Sequence, residues 1–407
     1  MEKLQPKLRF AEFEGNWEST EFKDLVKINQ GLQIPISERY LTKIEGSHFY
    51  ITNEFLKYGS EKQYFIKNPT ESVLCDENDI LMTRTGNTGL VVTNVKGAFH
   101  NNFFKINYPS SIEKNFLFYF LNLDKTQNLI KSLAGTSTIP DLNHTDFYKI
   151  QFVYPKKQEQ TKIATFLSSV DEKLNLLKEK KALLEEYKKG MMQKIFSQEI
   201  RFKDEHGKDF ADWEEKSLGE IGEFQTSSID KLTKPNEKEV FLINYMNVYR
   251  HENINNETVK TFQVVTAKDS QIESCNLVKG DILFTPSSET PDDIGHSVVI
   301  FEDLDSCVYS YHLMRFRPKI KIDILYSHYF CNNSKVLNQL AKLSTGSTRF
   351  TISVKSFSSV KVDLPCLDEQ TKIANFLSAI DEKIELATQQ IEDTQEYKKG
   401  LLQQMFC

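Results

Sequence analysis

Apolar residues step by four and three through Ile163, Leu167, Val170, Leu174, Leu177, Leu184, Met191 and Ile195, with Lys181 and Lys188 interrupting the row. The same register returns at Ile373, Leu377, Ile380, Ile384, Ala387, Ile391, Leu401 and Met405. Such spacing keeps a narrow apolar stripe on one side of a helix and predicts a coiled-coil seam. Acidic Glu159 and Glu369, near the two starts, suit the positive end of a helix. At about 1.5 Å per residue each helix reaches roughly 55–60 Å, the length of a spacer rather than of a core helix.

The two helices are copies. Pro155 to Phe196 aligns without a gap on Pro365 to Phe406: Glu159-Gln160-Thr161-Lys162-Ile163-Ala164 answers to Glu369-Gln370-Thr371-Lys372-Ile373-Ala374, Asp171-Glu172-Lys173 to Asp381-Glu382-Lys383, and Tyr187-Lys188-Lys189-Gly190 to Tyr397-Lys398-Lys399-Gly400. Roughly half the aligned positions are identical, more than chance allows for two helices of similar composition. The chain is built twice, and a duplicated protein suits a partner that also comes in two parts.

The segments before the two helices resemble each other more weakly. Each opens with Arg-Phe and Trp-Glu followed by spaced apolar residues: Arg9-Phe10, Trp17-Glu18, Phe22, Leu25 and Ile28 in one, Arg201-Phe202, Trp213-Glu214, Leu218, Ile221 and Phe224 in the other. Each has an Asp-Ile-Leu strand start, at Asp79 and at Asp281. Each closes with a Gly- and hydroxyl-rich turn, Gly135-Thr136-Ser137-Thr138 or Gly346-Ser347-Thr348-Arg349, before a short alternating strand and the Pro that opens the helix. Frequent β-branched and aromatic residues between short polar turns predict mixed α/β domains rich in strand. The expected order is a domain over 1–154, a helix over 155–200, a second domain over 201–364 and a second helix over 365–407. The Arg9-Phe10 segment matches the one that follows the first helix, so the pattern would close on itself if the termini were joined.

Charge adds what the apolar pattern does not show. The first helical repeat carries ten basic against six acidic residues, and Pro365 to Cys407 carries four against eight. Helices of opposite charge prefer each other to copies of themselves, which predicts an intramolecular pair. Over all 407 residues the net charge is -6, so any DNA-binding face must be local or partly supplied by a partner. Hydrophobic residues at 39% and charged residues at 27% fit an ordered, soluble protein, and 407 residues call for two or more globular units. The start, Met1-Glu2-Lys3-Leu4-Gln5-Pro6, lacks the apolar run of a signal peptide, and no stretch approaches the roughly 20 apolar residues of a membrane span, so a cytoplasmic protein is expected. The six cysteines are scattered without a Cys-x-x-Cys pair, which argues for reduced thiols rather than a zinc site or disulfide framework.

Catalytic motifs are missing from the sequence. It holds neither a Gly-x-x-x-x-Gly-Lys phosphate loop nor a Gly-x-Gly-x-x-Gly after a strand. Asn68-Pro69 is followed by Thr70, a departure from the Asn-Pro-Pro-aromatic loop of base-flipping amino methyltransferases. Pro291-Asp292-Asp293 lacks the following acidic-x-Lys of a nuclease metal motif and reads as a surface turn. The histidines show no paired ligand spacing, and His144 and His296 read as loop or surface residues. No metal and no cofactor are expected, and the chain reads as a recognition protein rather than an enzyme.

The whole chain resembles the DNA-specificity subunit of a type I restriction-modification system. The resemblance rests on the Trp-Glu segment, the Asp-Ile-Leu start, the Gly-Ser-Thr turn and, above all, the Glu-Gln-x-x-Ile-Ala-x-x-Leu-x-x-x-Asp-x-x-Ile/Leu helix present twice. It implies an α+β architecture: two mixed α/β target-recognition domains joined by two long helices that pair as an intramolecular antiparallel coiled coil, with pseudo-two-fold, circular repeat symmetry. It implies that each domain reads one half of a split, asymmetric sequence in double-stranded DNA. The helices would set the half-site distance and dock two methyltransferase subunits, with translocase/endonuclease subunits added for restriction; methylation and cleavage would belong to those partners. Two other classes stay open. A self-contained DNA-modifying enzyme would modify DNA alone, and a coiled-coil scaffold with two protein-binding domains would show no sequence-selective DNA association.

Candidate DNA contacts follow from side-chain chemistry, since Arg, Asn and Gln make bidentate contacts to guanine or adenine while Ser and Thr bind phosphates. In the first domain these are Gln30, Gln33, Thr83, Arg84, Asn87, Asn101, Asn102, Thr136, Ser137 and Thr138. In the second they are Gln225, Thr226, Ser227, Ser287, Ser288, Tyr311, His312, Arg315, Ser347, Thr348 and Arg349. Each could equally be a turn residue satisfying its own backbone. Gly86, Gly89, Gly135 and Gly346 read as turn formers, and Trp17 and Trp213 as core. Tyr187, Lys188 and Lys189, with Tyr397, Lys398 and Lys399, form either a partner-docking patch or a solvated helix face.

Overall fold

The apolar rows become two long helices, Lys157–Phe196 of 40 residues and Leu367–Met405 of 39. The structure, a computed structural model, describes residues 4–57, 59–60, 62–135 and 140–407. Two units emerge: Met1–Lys178 with Gln389–Cys407, and Glu179–Thr388. Each long helix gives one portion to each unit.

In the first unit an antiparallel sheet has the order Lys27–Gln30, Phe103–Asn107, Ile80–Thr83, Val91–Val92. A second sheet has the order Phe65–Lys67, Ser47–Ile51, Gly97–Phe99, Leu74–Cys75, with its central pair parallel. Glu18–Glu21 pairs antiparallel with Gln151–Tyr154, so the domain's first and last strands leave together toward the helix. Ile80, Met82, Phe104 and Ile106 are fully buried and share one core with Phe116 and Phe120 of the helix Lys114–Leu121 and with Ile163, Leu167 and Val170 of the long helix. Leu401, Met405 and Phe406 close that core. Burial of these side chains at about 25 cal/mol per Å² of apolar surface drives the docking.

The second unit repeats the plan with three strands instead of four in its second sheet and an added two-stranded pair, Ser287–Ser288 with Phe350–Thr351. Gly222–Thr226, Met314–Pro318, Ile282–Phe284 and Ser297–Val299 form its four-stranded sheet. Lys238–Ile243 lies between antiparallel Gln263–Ala267 and parallel Cys307–Tyr309, and Glu214–Ser217 pairs with Lys361–Leu364. Its core joins Phe284, Phe316, Tyr326 and Phe357 to Ile373, Ala374, Leu377 and Ile380 of the long helix.

Within each unit the two helix portions run in opposite directions. In the first, Asp171 pairs with Lys398, while Glu159, earlier on its helix, is near Cys407, later on the other. In the second, Lys188 pairs with Asp381, and Ile195 and Phe196 share a core with Ile373 and Leu377. Of the seam residues, Ile163, Leu167, Val170, Leu174 and Ile195 are buried on the first helix and Ile373, Leu377, Ile380, Ala387, Leu401 and Met405 on the second, whereas Leu177, Leu184 and Met191 are only partly buried.

The N-terminal segment does meet the end of the second helix. Leu8 donates its amide to the Gln404 carbonyl at 2.8 Å, as Ile200 does to the Lys194 carbonyl at 3.2 Å, where the chain simply turns out of the first helix. A covalent turn in one unit is thus replaced by a hydrogen-bonded junction in the other.

Gly97 tests how tightly the first unit is closed. A Cβ there would lie 2.3 Å from the Phe49 carbonyl oxygen, a backbone atom that cannot step aside. Gly97→Ala is expected to destabilise this unit by about 1–3 kcal/mol, visible as a lower urea midpoint; an unchanged midpoint would mean the strands part easily.

Candidate nucleic-acid interface

The duplicated Glu-Gln of the long helices locks each domain to its helix. Glu159, 3% exposed, accepts a bidentate pair from Arg9, both bonds 2.8 Å, and the Trp17 indole N–H at 3.3 Å. Glu369, 0% exposed, accepts from Arg201 at 3.2 and 2.8 Å and from Trp213 at 3.0 Å. These hydrogen bonds raise the guanidinium pKa of Arg9 and Arg201 against the opposing effect of burial. The next residue caps the short helix above it. Gln160 accepts from the Glu113 amide and donates to the Pro155 carbonyl, at 2.9 and 2.8 Å; Gln370 does the same with Asp323 and Pro365, both at 2.9 Å.

A second clamp repeats one turn or more along. Tyr119 donates to Asp171 at 2.8 Å, and Lys398 sits 2.5 Å from that carboxylate and over the phenol ring. Tyr329, Asp381 and Lys188 repeat the arrangement at 2.7 and 2.6 Å. Burial, with the neighbouring carboxylate, pushes both phenols well up, so each tyrosine stays a donor. Lys188 and Lys398 therefore tie helix to helix and to the domain, whereas Tyr187 and Tyr397 are 51% and 55% exposed.

Five of the first domain's candidates meet on one edge. Gln30, exposed at the end of its strand, reaches the Asn101 carbonyl at 3.4 Å, and Asn101 donates its side-chain amide to Gln33 at 3.0 Å. The Arg84 amide donates to the Asn102 carbonyl at 2.7 Å. The Arg84 guanidinium grips Asp141 in a fork and lies over the Phe104 ring. Burial raises the Asp141 pKa, but Arg84 and Thr85 outweigh it and hold the carboxyl below its usual value. Asn87 is exposed on the adjoining turn, where Gly86 and Gly89 both have positive φ. Thr83 is fully buried and its hydroxyl is spent on the Asn87 carbonyl. Thr136, Ser137 and Thr138 lie outside the described residues.

The second domain places its candidates around the equivalent edge. The turn His100-Asn101-Asn102-Phe103 has its counterpart in Ser310-Tyr311-His312-Leu313, because Asn101 and Tyr311 donate their amides to Leu32 and Ile229 in matching positions. Tyr311 is half-exposed with its ring centroid 3.9 Å from that of His312. Burial lowers the His312 pKa, and the charges of Arg349 and Lys231 lower it further. Gln225 and Thr226 are exposed at the strand end, and the Ser227 hydroxyl accepts from the Ile229 amide at 3.0 Å. Ser347, Thr348 and Arg349 are exposed on a turn whose Gly346 has φ +151°, and Arg349 donates to the Ser287 hydroxyl at 3.1 Å.

Three expectations for this edge need correction. Ser287 and Ser288 form a buried two-residue strand, and Ser288 donates to the Thr290 carbonyl. Arg315 is 5% exposed, and its Nη1 donates to the carbonyls of Ser274 and Asn276. The side-chain chemistry of each suits a DNA contact, yet strand burial turns it inward, as it does Thr83. Sequence reasoning missed Thr85, Asp141 and Lys231 at these edges, and the Arg9, Trp17 and Glu159 clamp; for the clamp, the repetition of all three residues was the available signal. Among the described residues no cluster of three or more His, Cys, Asp or Glu could hold a metal ion, and no helix is long and apolar enough to cross a membrane.

Two similar domains, each clamped to an antiparallel pair of helix portions and each with a polar edge of different chemistry, define a duplicated recognition subunit. The signature of the type I restriction modification DNA specificity domain matches residues 14–186 and again 211–395. The chain belongs to that family, as a non-catalytic specificity subunit. It is 28% identical over 400 residues to the type I restriction enzyme MjaVIII specificity subunit of Methanocaldococcus jannaschii, covering 95% of this chain and 91% of that one. It is 28% identical over 200 residues to the HindI specificity subunit of Haemophilus influenzae, covering 48% and 41%. In fold it is similar to the crystal structure of the S subunit of a type I restriction-modification system from M. genitalium, with a TM-score of 0.58, 18% identity and 99% of both chains covered. A chain from a study of assembly and conformational transition of the type I system gives 0.55 at 16% identity, covering 96% and 97%.

Proposed function

We propose that this chain reads a split, asymmetric target in double-stranded DNA and directs adenine methylation and restriction by partner subunits in the cytoplasm. Residues 1–154 and 201–364 are the two target-recognition domains; 155–200 and 365–407 are the helices that space them and dock two methyltransferase subunits, with translocase/endonuclease subunits joining for restriction. The observation that carries this reading is the contrast between the two edges on one repeated scaffold. Gln30, Gln33, Asn101 and Asn102 offer amides in one, while Tyr311, His312 and Arg349 offer an aromatic and cations in the other. Different edges call for different half-sites. With a net charge of -6, the chain alone has little phosphate-neutralising capacity, so tight binding depends on basic surfaces of the partners.

The test is to co-express the chain with the neighbouring methyltransferase subunit and map adenine methylation across the genome by single-molecule sequencing. A split motif lost when the chain is omitted supports the reading; methylation without a split motif rejects it. Within that assay Gln33→Ala should weaken one half-site and Arg349→Ala the other, each by about 1–3 kcal/mol, or roughly fivefold to 150-fold. If both variants relaxed the same half, the assignment of edges to domains would be wrong.

A further inference from the structure

His251, His296 and His328 of the second unit line one recess of about 440 Å³. His251 and His296, 45 residues apart in the chain, bring Nε2 of the first to 3.1 Å from Nδ1 of the second. The other nitrogen of each ring faces an atom that can only accept. His251 Nδ1 donates to the Ser297 carbonyl at 3.0 Å, and His296 Nε2 donates to an Asp293 carboxylate oxygen at 2.9 Å. A neutral imidazole carries one N–H, and here both are spent on these outer partners. Two lone pairs are left facing each other, which calls for a cation between them, either a proton or a metal ion.

The other half of the duplication shows that the scaffold does not require imidazoles here. Thr285 donates its amide to the His296 carbonyl and accepts from the Gly295 amide, as Thr83 does with Leu90 and Gly89, so Leu90 stands where His296 does. Asn332 donates its side-chain amide to the His328 carbonyl as Asn122 does to that of Phe118, both at 2.8 Å, so Phe118 stands where His328 does. Apolar residues satisfy the packing at both positions of the first unit. Packing alone therefore does not explain the histidines of the second.

The surroundings favour a metal ion over a proton. Nitrogen ligands at about 2.0–2.1 Å from a tetrahedral zinc stand roughly 3.3 Å apart, close to the separation of the two rings. A carbonyl and a carboxylate behind the rings fix the tautomers that present the lone pairs, which is how metal-binding imidazoles are oriented. Asp292 and Asp293 make the recess acidic, while Lys188, the cation in its lining, is committed to Asp381 at 2.6 Å. Burial holds the His251 pKa below its usual value; the Ser297 carbonyl opposes this, and His296 and Lys188 add to it.

We propose that His251 Nε2 and His296 Nδ1 bind a divalent transition-metal ion of the zinc class, with water in its remaining positions. The ion staples the end of the helix Tyr245–Tyr249 to the start of the strand Ser297–Val299, and it belongs to the second unit alone. The experiment is equilibrium dialysis of the full-length chain against Zn²⁺, with bound ions counted by native mass spectrometry and melting followed with and without the metal. One zinc per chain is expected, and it should persist in Cys366→Ser, which removes an exposed thiol. His296→Leu, which copies the first unit at this position, should lose the ion, and Asp293→Asn should weaken it by about tenfold to a hundredfold. Zinc should raise the Tm of the unaltered chain and not that of His296→Leu, and Mg²⁺ should raise neither, since imidazole suits the softer ion. Should His296→Leu unfold, His251→Asn carries the test, because Asn tolerates the φ of +52° at that position. No bound zinc would overturn the proposal and leave a shared proton between the rings. Zinc held at full affinity by His296→Leu, or lost in Cys366→Ser, would overturn it by placing the metal elsewhere.

Discussion

Replacing residues 216–364 with the matching segment of another family member is expected to change one half of the methylated sequence and leave the other intact. The cuts fall where the structure tolerates them. Lys216 lies in the strand Glu214–Ser217 and Leu364 ends the strand it pairs with, so nearly the whole of the domain moves as one piece. Arg201, Trp213 and Glu369 all stay behind, and the clamp that meets the new domain is preserved. The incoming segment must still offer apolar side chains where Phe357, Val360 and Val362 face Ile373 and Leu377. Discrimination between specific and non-specific DNA is typically about 10³–10⁷, so the old half-site should lose methylation altogether. Sequencing of methylated adenines reads both halves at once. A swap that altered both would show that the domains do not read independently.

Glu369→Ala is expected to be the most damaging single substitution in the second unit. It strips Arg201 of a bidentate partner and the Trp213 indole of its acceptor at a carboxylate with no solvent exposure. Breaking a buried pair from one side costs about 3–5 kcal/mol, tempered here because Arg201 retains 22% exposure and its bond to the Ala211 carbonyl. Glu369→Gln keeps an acceptor and should lose about half as much. Tyr329→Phe, which removes one hydrogen bond to Asp381, should cost about 1 kcal/mol. Thermal unfolding orders the three, and the order is the test: a Tyr329→Phe loss as large as that of Glu369→Ala would place the critical joint at the second clamp. Glu159→Ala should mirror the effect in the first unit, and methylation should fade through loss of the matching half-site only.

The duplication, the two helices and the strands at Ile80 and Ile282 were legible because each is a local pattern: a period, a repeated string, a β-branched run between turns. The positive φ of Gly86, Gly89, Gly135 and Gly346 likewise follows from residue type. The clamp was not legible as a clamp. Arg9 and Glu159 lie far apart in the chain, and an ion pair leaves no periodicity; only its recurrence as Arg201 and Glu369 marks it. Candidate DNA contacts divided by burial. Gln30, Gln33 and Asn101 converge because loops from different strands meet, whereas Arg315 sits in Met314–Pro318 on a face that folding covers. Alternation in so short a strand does not say which side a charged residue takes when carbonyls such as those of Ser274 and Asn276 wait to receive it.

The first unit borrows its last core residues from the far end of the chain, and that sets an order on biosynthesis. Phe406 stacks on Phe116 and meets Trp17 edge-on, and Leu401 and Met405 lie in the same core. At about 5–20 residues per second, roughly 10–40 s separate translation of Lys178 from that of Gln389, and through that time the first core has an open aromatic face. Glu179–Thr388, by contrast, is one continuous stretch that holds all its own partners. The half that leaves the ribosome first is therefore completed last, and the nascent chain is most exposed to aggregation, and most in need of a chaperone, at its own beginning.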